Sequence, residues 1–315
     1  MRRFVFPTFL VITLLAGCIS PDQPQAPAGT RTPNTGGDMT GSEKRMDDAT
    51  VCADGGSLSK SQTFCATRTI TVAGTISGIT KMDVDVGSFN GDVTFHTAGA
   101  GKWGFVATLH ATGSTLDEAK KNLDNIQFSW SHVEGASHFL QAHAKKDGEG
   151  SGYSATFDVG LPPSITYVLV GTTTNGDVTL TDLATDGLSL RTTNGHVSVS
   201  ADVTQVQLSA TNGDVAGKLR VTGPGRLTGS STNGNVRLEV PEDAQHGYDA
   251  TLTTTNGQVN VQMSDGQKGD CPTGSQYYTP PCTHRTFRST NYDARAIRSL
   301  VTVTTTNGDV TLMAT

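Results

Sequence analysis

Six near-identical hexapeptides and one degenerate relative limit what this chain can fold into. They are Thr173-Thr174-Asn175-Gly176-Asp177-Val178, Thr192-Thr193-Asn194-Gly195-His196-Val197, Ala210-Thr211-Asn212-Gly213-Asp214-Val215, Ser231-Thr232-Asn233-Gly234-Asn235-Val236, Thr254-Thr255-Asn256-Gly257-Gln258-Val259 and Thr305-Thr306-Asn307-Gly308-Asp309-Val310. Phe89-Asn90-Gly91-Asp92-Val93 is the earlier, weaker copy. The first five asparagines of the full copies are 19, 18, 21 and 23 residues apart. Self-similarity at such a period belongs to stacked repeats. Asn tolerates left-handed backbone and Gly adopts positive φ freely, so each pair reads as a tight change of direction. The Thr before it and the Val after it suit extended chain. Apolar residues alternate around the turn, as with Leu190, Val197 and Val199, or Val303, Val310 and Leu312, which places them on one face. A single copy buries about three aliphatic side chains at about 1.5–3 kcal/mol each, too little to order roughly twenty residues. The copies therefore have to stack.

Two all-β architectures satisfy that demand. In a β-solenoid each copy is one coil, strands of successive coils pair about 4.8 Å apart, and the asparagines superpose. In an antiparallel β meander each Asn-Gly is instead a two-residue hairpin loop.

Before the repeats, short runs alternate with period two: Ile70 and Val72, Met82, Val84 and Val86, Phe105 and Leu109. These predict strands from about residue 67 to 163. One segment interrupts them. Thr115 and Glu118 form a capping box ahead of Leu116, Ala119 and Leu123, which predicts one short helix. The repeats then occupy 164–315, with an insertion at 265–296.

The chain starts as a secretory signal does. Met1-Arg2-Arg3 is followed by an apolar run from Phe4 to Ala16 and then Gly17-Cys18, a run short for a bilayer span. Leu15-Ala16-Gly17-Cys18 resembles the lipobox of prokaryotic lipoproteins, which implies cleavage after residue 17 and acylation of Cys18. Two or three acyl chains anchor a protein almost permanently. Ile19 in place of Asp points, by the same resemblance, to an outer surface. Residues 18–50 are rich in Pro, Gly, Thr and Asp and read as a flexible tether. Four cysteines remain, in two close pairs. Export makes Cys52 with Cys65 and Cys271 with Cys282 natural disulfides, the first pinning a segment at 51–66. The formal charge of −6 becomes −8 without Arg2 and Arg3, which argues against nucleic acid as a partner.

The Thr-Thr-Asn-Gly-Asp-Val units, preceded by a strand region with one Glu-Ala-Lys-containing helix, resemble the adhesin-like domain-of-unknown-function family of bacterial and archaeal envelope proteins over about residues 67–315. The resemblance implies a β-solenoid without a settled activity. The chain departs from the pattern between Asp265 and Ala296.

If the coils stack, the residues after each Asn-Gly form a column: Asp177, His196, Asp214, Asn235 and Gln258. Asp177 and Asp214 would then lie about twice 4.8 Å apart, a separation that suits an inverting glycosidase. Acidic and amide side chains are also what turns prefer, and no general-acid environment is visible. They are read as solvated turn residues and the chain as a non-enzyme, with no catalytic, metal or cofactor residue assigned. His132, His138 and His143 have spacings that fit neither a strand nor a helix face for metal ligation. The repeat is not the calcium-binding Gly-Gly-x-Gly-x-Asp unit. No nucleotide-binding glycine loop, nucleophile elbow or zinc-protease motif occurs.

The best candidate for recognition is the cross-linked loop 271–282. Tyr277 and Tyr278 on a proline-bearing loop are amphipathic contact residues of the kind interfaces favour. Arg285, Arg288, Arg295 and Arg298 follow closely in an otherwise acidic chain. An anionic polymer, a glycan or an envelope protein is the expected partner. The competing reading is that the loop caps the open end of the stack, since solenoids need capped termini. The functional expectation is a lipid-anchored binding or scaffold protein of the cell envelope, adhesin-like. A signalling or envelope-stress accessory stands second and a polysaccharide-active enzyme third.

Overall fold

The alternation of small branched residues about each Asn-Gly produces one continuous structure of parallel strands. A computed structural model of the chain describes residues 42–52, 63–133, 138–147, 152–269, 271 and 281–315. The acylation site at Cys18, the expected tether up to residue 41, and Tyr277 and Tyr278 lie outside the described residues, whereas residues 42–50, also expected as tether, are instead extended chain paired antiparallel with residues 65–73.

In the first part the strands are β1 (Ser42–Val51), β2 (Phe64–Thr75), β3 (Lys81–Gly87), β4 (Val93–Thr97), β5 (Lys102–Gly113), β6 (Ile126–Val133), β7 (His138–Lys146) and β8 (Tyr153–Leu161), with helix α1 (Leu116–Asp124) between β5 and β6. The repeats contribute β9 (Thr166–Asn175), β10 (Val178–Asn194), β11 (Val197–Asn212), β12 (Val215–Val221), β13 (Gly225–Asn233), β14 (Val236–Val240), β15 (His246–Asn256) and β16 (Val259–Gln262). The insertion holds β17 (Gln267–Lys268) and β18 (His284–Arg288), and β19 (Ile297–Asn307) and β20 (Val310–Ala314) end the chain.

Strands leading into the corners form one face. It runs β7, β3, β9, β10, β11, β13, β19, β15, every neighbour parallel. Strands leaving the corners form the other, β8, β4, β10, β11, β12, β14, β20, β16, again parallel. Parallel pairing between copies excludes the antiparallel meander. Hairpins of antiparallel strands close the ends: β6 beside β7, β1, β2 and β5 outside β8, and β18 beside β15.

The stacking order is not the sequence order. Asn90, Asn175, Asn194, Asn212, Asn233, Asn307 and Asn256 follow one another in register. The last copy of the repeat therefore lies between the fourth and the fifth full copies. In the column expected from the sequence, Asn235 and Gln258 are not neighbours: Asp309 separates them. The chain passes over one level between β14 and β15 and returns to fill it after the insertion.

The core is a set of aliphatic columns. Val178, Val197, Val215, Val236, Val310 and Val259 superpose just after the corner and are 0–5 % exposed. Beside them run Leu180, Val199, Gly217, Leu238, Leu312 and Val261 in register.

Helix α1 forms where its cap predicts. Thr115 Oγ1 accepts from Glu118 N at 3.1 Å, and Glu118 reaches back to the Ser114 backbone N–H at 2.8 Å, one residue earlier than a capping box would place it. Ala119 and Leu123 are buried. Arg68 ties the helix to the sheet by pairing with Asp47 of β1 and Asp124 of α1 at 2.9 and 3.0 Å.

Candidate binding surfaces and the Asn-Gly corner

Three hydrogen-bonded ladders run along the corner. The first is amide to amide. Asn194 Nδ2 donates to Asn175 Oδ1 at 2.5 Å, Asn212 to Asn194 and Asn233 to Asn212 at 2.7 Å, Asn307 to Asn233 at 2.7 Å and Asn256 to Asn307 at 2.8 Å. Asn175 donates to Asn90, whose own amide donates to the Tyr153 carbonyl at 3.0 Å. The Asn side chain is thus selected as both donor and acceptor at a fixed repeat. Left-handed tolerance is not its role: among the described residues, the non-glycine residues at positive φ are Asp182 and Asn291.

The second ladder uses the residue after Asn-Gly. Its side chain accepts the backbone N–H of the equivalent residue one coil on. Asp92 takes Asp177 N at 2.8 Å, Asp177 takes His196 N at 2.7 Å, and His196 Nδ1 takes Asp214 N at 3.0 Å. Asp214 then takes Asn235 N at 2.7 Å, Asn235 takes Asp309 N at 2.8 Å and Asp309 takes Gln258 N at 2.8 Å. Every member but the last needs an acceptor close to its backbone, which Asp, Asn and His Nδ1 provide. Gln258, with the longer side chain, sits where no further coil asks for one. The column is therefore more than a row of solvated turn residues. Each of its carboxylates is spent on a backbone N–H.

The third ladder is hydroxyl to carbonyl. Thr173, Thr192, Ser231, Thr305 and Thr254 donate to Gly91, Gly176, Gly213, Gly234 and Gly308 at 2.8–2.9 Å. Ala210 holds the equivalent position beside Gly195 and leaves one rung unmade. The glycines are required twice over. Gly176, Gly195, Gly213, Gly234 and Gly308 have φ of +143 to +155°, and a Cβ at Gly195 would sit 2.0 Å from the Gly176 carbonyl oxygen.

The recognition candidates are distributed differently. Cys52 with Cys65 and Cys271 with Cys282 lie at disulfide distance, their Cα atoms 5.2 and 5.1 Å apart. Arg285 and Arg288 are both on β18, which covers the outer edge of β15. Arg288 is held between Asp249 at 2.7 Å and Asp293 at 3.1 Å, with its guanidinium 4.6 Å from the Tyr292 ring centre. Arg285 is half-buried opposite Leu252, its Nε enclosed without a hydrogen-bond partner among the described residues. Arg295 pairs with Asp265 and donates to the carbonyls of Asp243 and Thr290. Arg298 alone of the four combines exposure with no bond to a carboxylate among the described residues. The insertion thus spends much of its positive charge on its own acidic groups.

At the opposite end a cavity of about 550 Å³ opens beside the first corner, lined by residues 87–90 and 143–146 with Thr172 and Thr174. His143 faces Asp85 at 3.2 Å, and Gln141 donates to the same carboxylate. Burial pushes the Asp85 carboxyl up, but His143 and Gln141 outweigh it and hold it below the usual carboxylate range. The rings of His132 and Trp103 are tilted by 40° with their centres 4.5 Å apart.

A family model described as Toastrack DUF4097 matches residues 37–277. The chain belongs to this Toastrack family. The match ends before β19 and β20, which lie inside the stack of this chain. No curated protein matches the chain. Solved structures similar to it include a "putative cell adhesion protein" from Clostridium sporogenes, with 10 % identity, 86 % of this chain and 100 % of that chain covered and a TM-score of 0.44. A "putative adhesin" from Bacteroides fragilis has 12 % identity, covers 78 % of this chain and 97 % of its own, and gives a TM-score of 0.27.

Proposed function

We propose that the chain is a non-catalytic binding or scaffold protein of the cell envelope, anchored through acylated Cys18 and lifted off the membrane by its tether. One observation carries the non-catalytic reading. The corner column offered the spacing of a carboxylate pair, and its Asp177 and Asp214 are both engaged as acceptors for the backbone of the next coil. One oxygen of each is held by the backbone and both side chains are exposed, without the apolar burial that turns a carboxyl into a general acid. Cysteine pairs at bonding distance support an oxidising, extracytoplasmic setting.

The binding face is assigned to the insertion, with Tyr277, Tyr278, Arg285 and Arg288 as its candidates and an anionic polymer, glycan or envelope protein as the ligand class. Arg288 contributes by orienting the segment through Asp249 and Asp293. Array binding of the mature chain to glycans and acidic polymers tests the reading. Replacing Tyr277 and Tyr278 with Ala is expected to abolish binding while the melting temperature holds. A large drop in melting temperature without loss of binding would reduce the loop to an end cap. Capture of a single stoichiometric membrane protein from intact membranes would favour the signalling alternative.

A further inference from the structure

Deamidation of an Asn-Gly pair requires the glycine nitrogen to reach the asparagine side-chain carbon. In six of the seven pairs that nitrogen is tied down. Gly91, Gly176, Gly195, Gly213, Gly234 and Gly308 donate to the Asn carbonyl of the following coil at 2.6–3.0 Å. Each of the six asparagines also has its Oδ1 occupied by the next amide in the ladder. Asn256-Gly257 is the last pair in the stack. Among the described residues, the Gly257 N–H has no acceptor and Asn256 Oδ1 has no donor. β18 pairs with β15 only from Asp249 to Thr253. The neighbours Thr254 N and Val259 N are held by the Thr283 and Cys282 carbonyls at 2.8 and 2.7 Å, and among the described residues no main-chain bond from that side reaches Asn256 or Gly257. Asn256 is exposed to water.

We propose that Asn256 is a modification site, the member of the ladder that deamidates spontaneously through a succinimide. The Gly257 nitrogen forms a bond to Asn256 Cγ, the Cγ–Nδ2 bond breaks, and the displaced amide nitrogen leaves as ammonia with the proton from Gly257. One water then opens the ring at either carbonyl to give aspartate or isoaspartate. The net change is one water consumed and one ammonia released, with no oxidant or cofactor. The inner pairs are protected because attack there must first break bonds to coils on both sides. The product weakens the terminal coil. A carboxylate at 256 turns an acceptor toward Asn307 Oδ1, and isoaspartate lengthens the main chain at the corner.

The test is peptide mapping by mass spectrometry of the mature full-length protein, incubated folded at mildly alkaline pH and, in parallel, in denaturant. In the folded protein Asn256 is expected to convert about tenfold faster than any of the other six, the factor that one unmade hydrogen bond represents. In denaturant the seven rates should converge. Conversion of an inner asparagine at the same rate in the folded protein overturns the proposal. So does an equal lead for Asn256 in denaturant, which would make the rate a property of its immediate neighbours.

Discussion

At the scale of single residues, the corner shows why this hexapeptide and no looser one repeats. Thr at the second position before Asn supplies a hydroxyl to the preceding Gly carbonyl, and Ala210 is the copy that does not. Ala210→Ser should complete the ladder toward Gly195, as Ser231 does toward Gly213, and stabilise the chain by about 1 kcal/mol, or roughly 2–4 °C in melting temperature. A lower melting temperature would mean the buried site has no room for the oxygen. The acceptor position separates chemistry from architecture more sharply. Asp177→Asn keeps an Oδ1 for the His196 N–H and should leave stability within about 0.5 kcal/mol, whereas Asp177→Ala strands that N–H at a cost of about 1 kcal/mol. Denaturant midpoints of the two variants check this, and equal effects from both would show that the carboxylate charge matters more than the acceptor.

At the scale of elements, strands and helix were legible because their signals are local. Period two in Met82, Val84 and Val86, and the Thr115–Glu118 cap, each act within one element. Thr115→Ala should cost about 1 kcal/mol through the lost cap, seen as a lower urea midpoint with an unchanged slope. Less legible was the pairing of Asp85 on β3 with His143 on β7, since parallel neighbours far apart in sequence leave no local trace. That pairing predicts a pH dependence. The Asp85 carboxyl is held below its ordinary value in the folded chain, so its contribution is complete above the unfolded carboxylate value of about 4 and fades as pH falls through the lower folded one. Stability measured from about pH 5 downward should fall less steeply in Asp85→Asn than in the native chain. An identical slope would show that the pair adds nothing to folding.

At the scale of the whole molecule, the stack was legible and its order was not. Near-identical units carry no address, so nothing within Thr305–Val310 says whether it follows Gln258 or precedes it. The available signal was Gln258 itself, the one residue of its column unable to mimic a short acceptor, which marks the final coil. Intercalation of β19 and β20 makes the last residues of the chain hold two earlier coils together. Their Val301, Val303, Val310 and Leu312 are 0–2 % exposed, together worth about 6–12 kcal/mol of burial, comparable with the stability of an entire domain. Because a solenoid transmits stability only between neighbours, a chain ending at Ala296 should lose its terminal coil while keeping the rest. Hydrogen exchange read by mass spectrometry is expected to show protection lost across 246–262 and retained across 178–215. If 246–262 stays protected, coils β13–β14 and β15–β16 can close on each other directly, with Asn233 meeting Asn256, and the final repeat is an insertion the stack can do without.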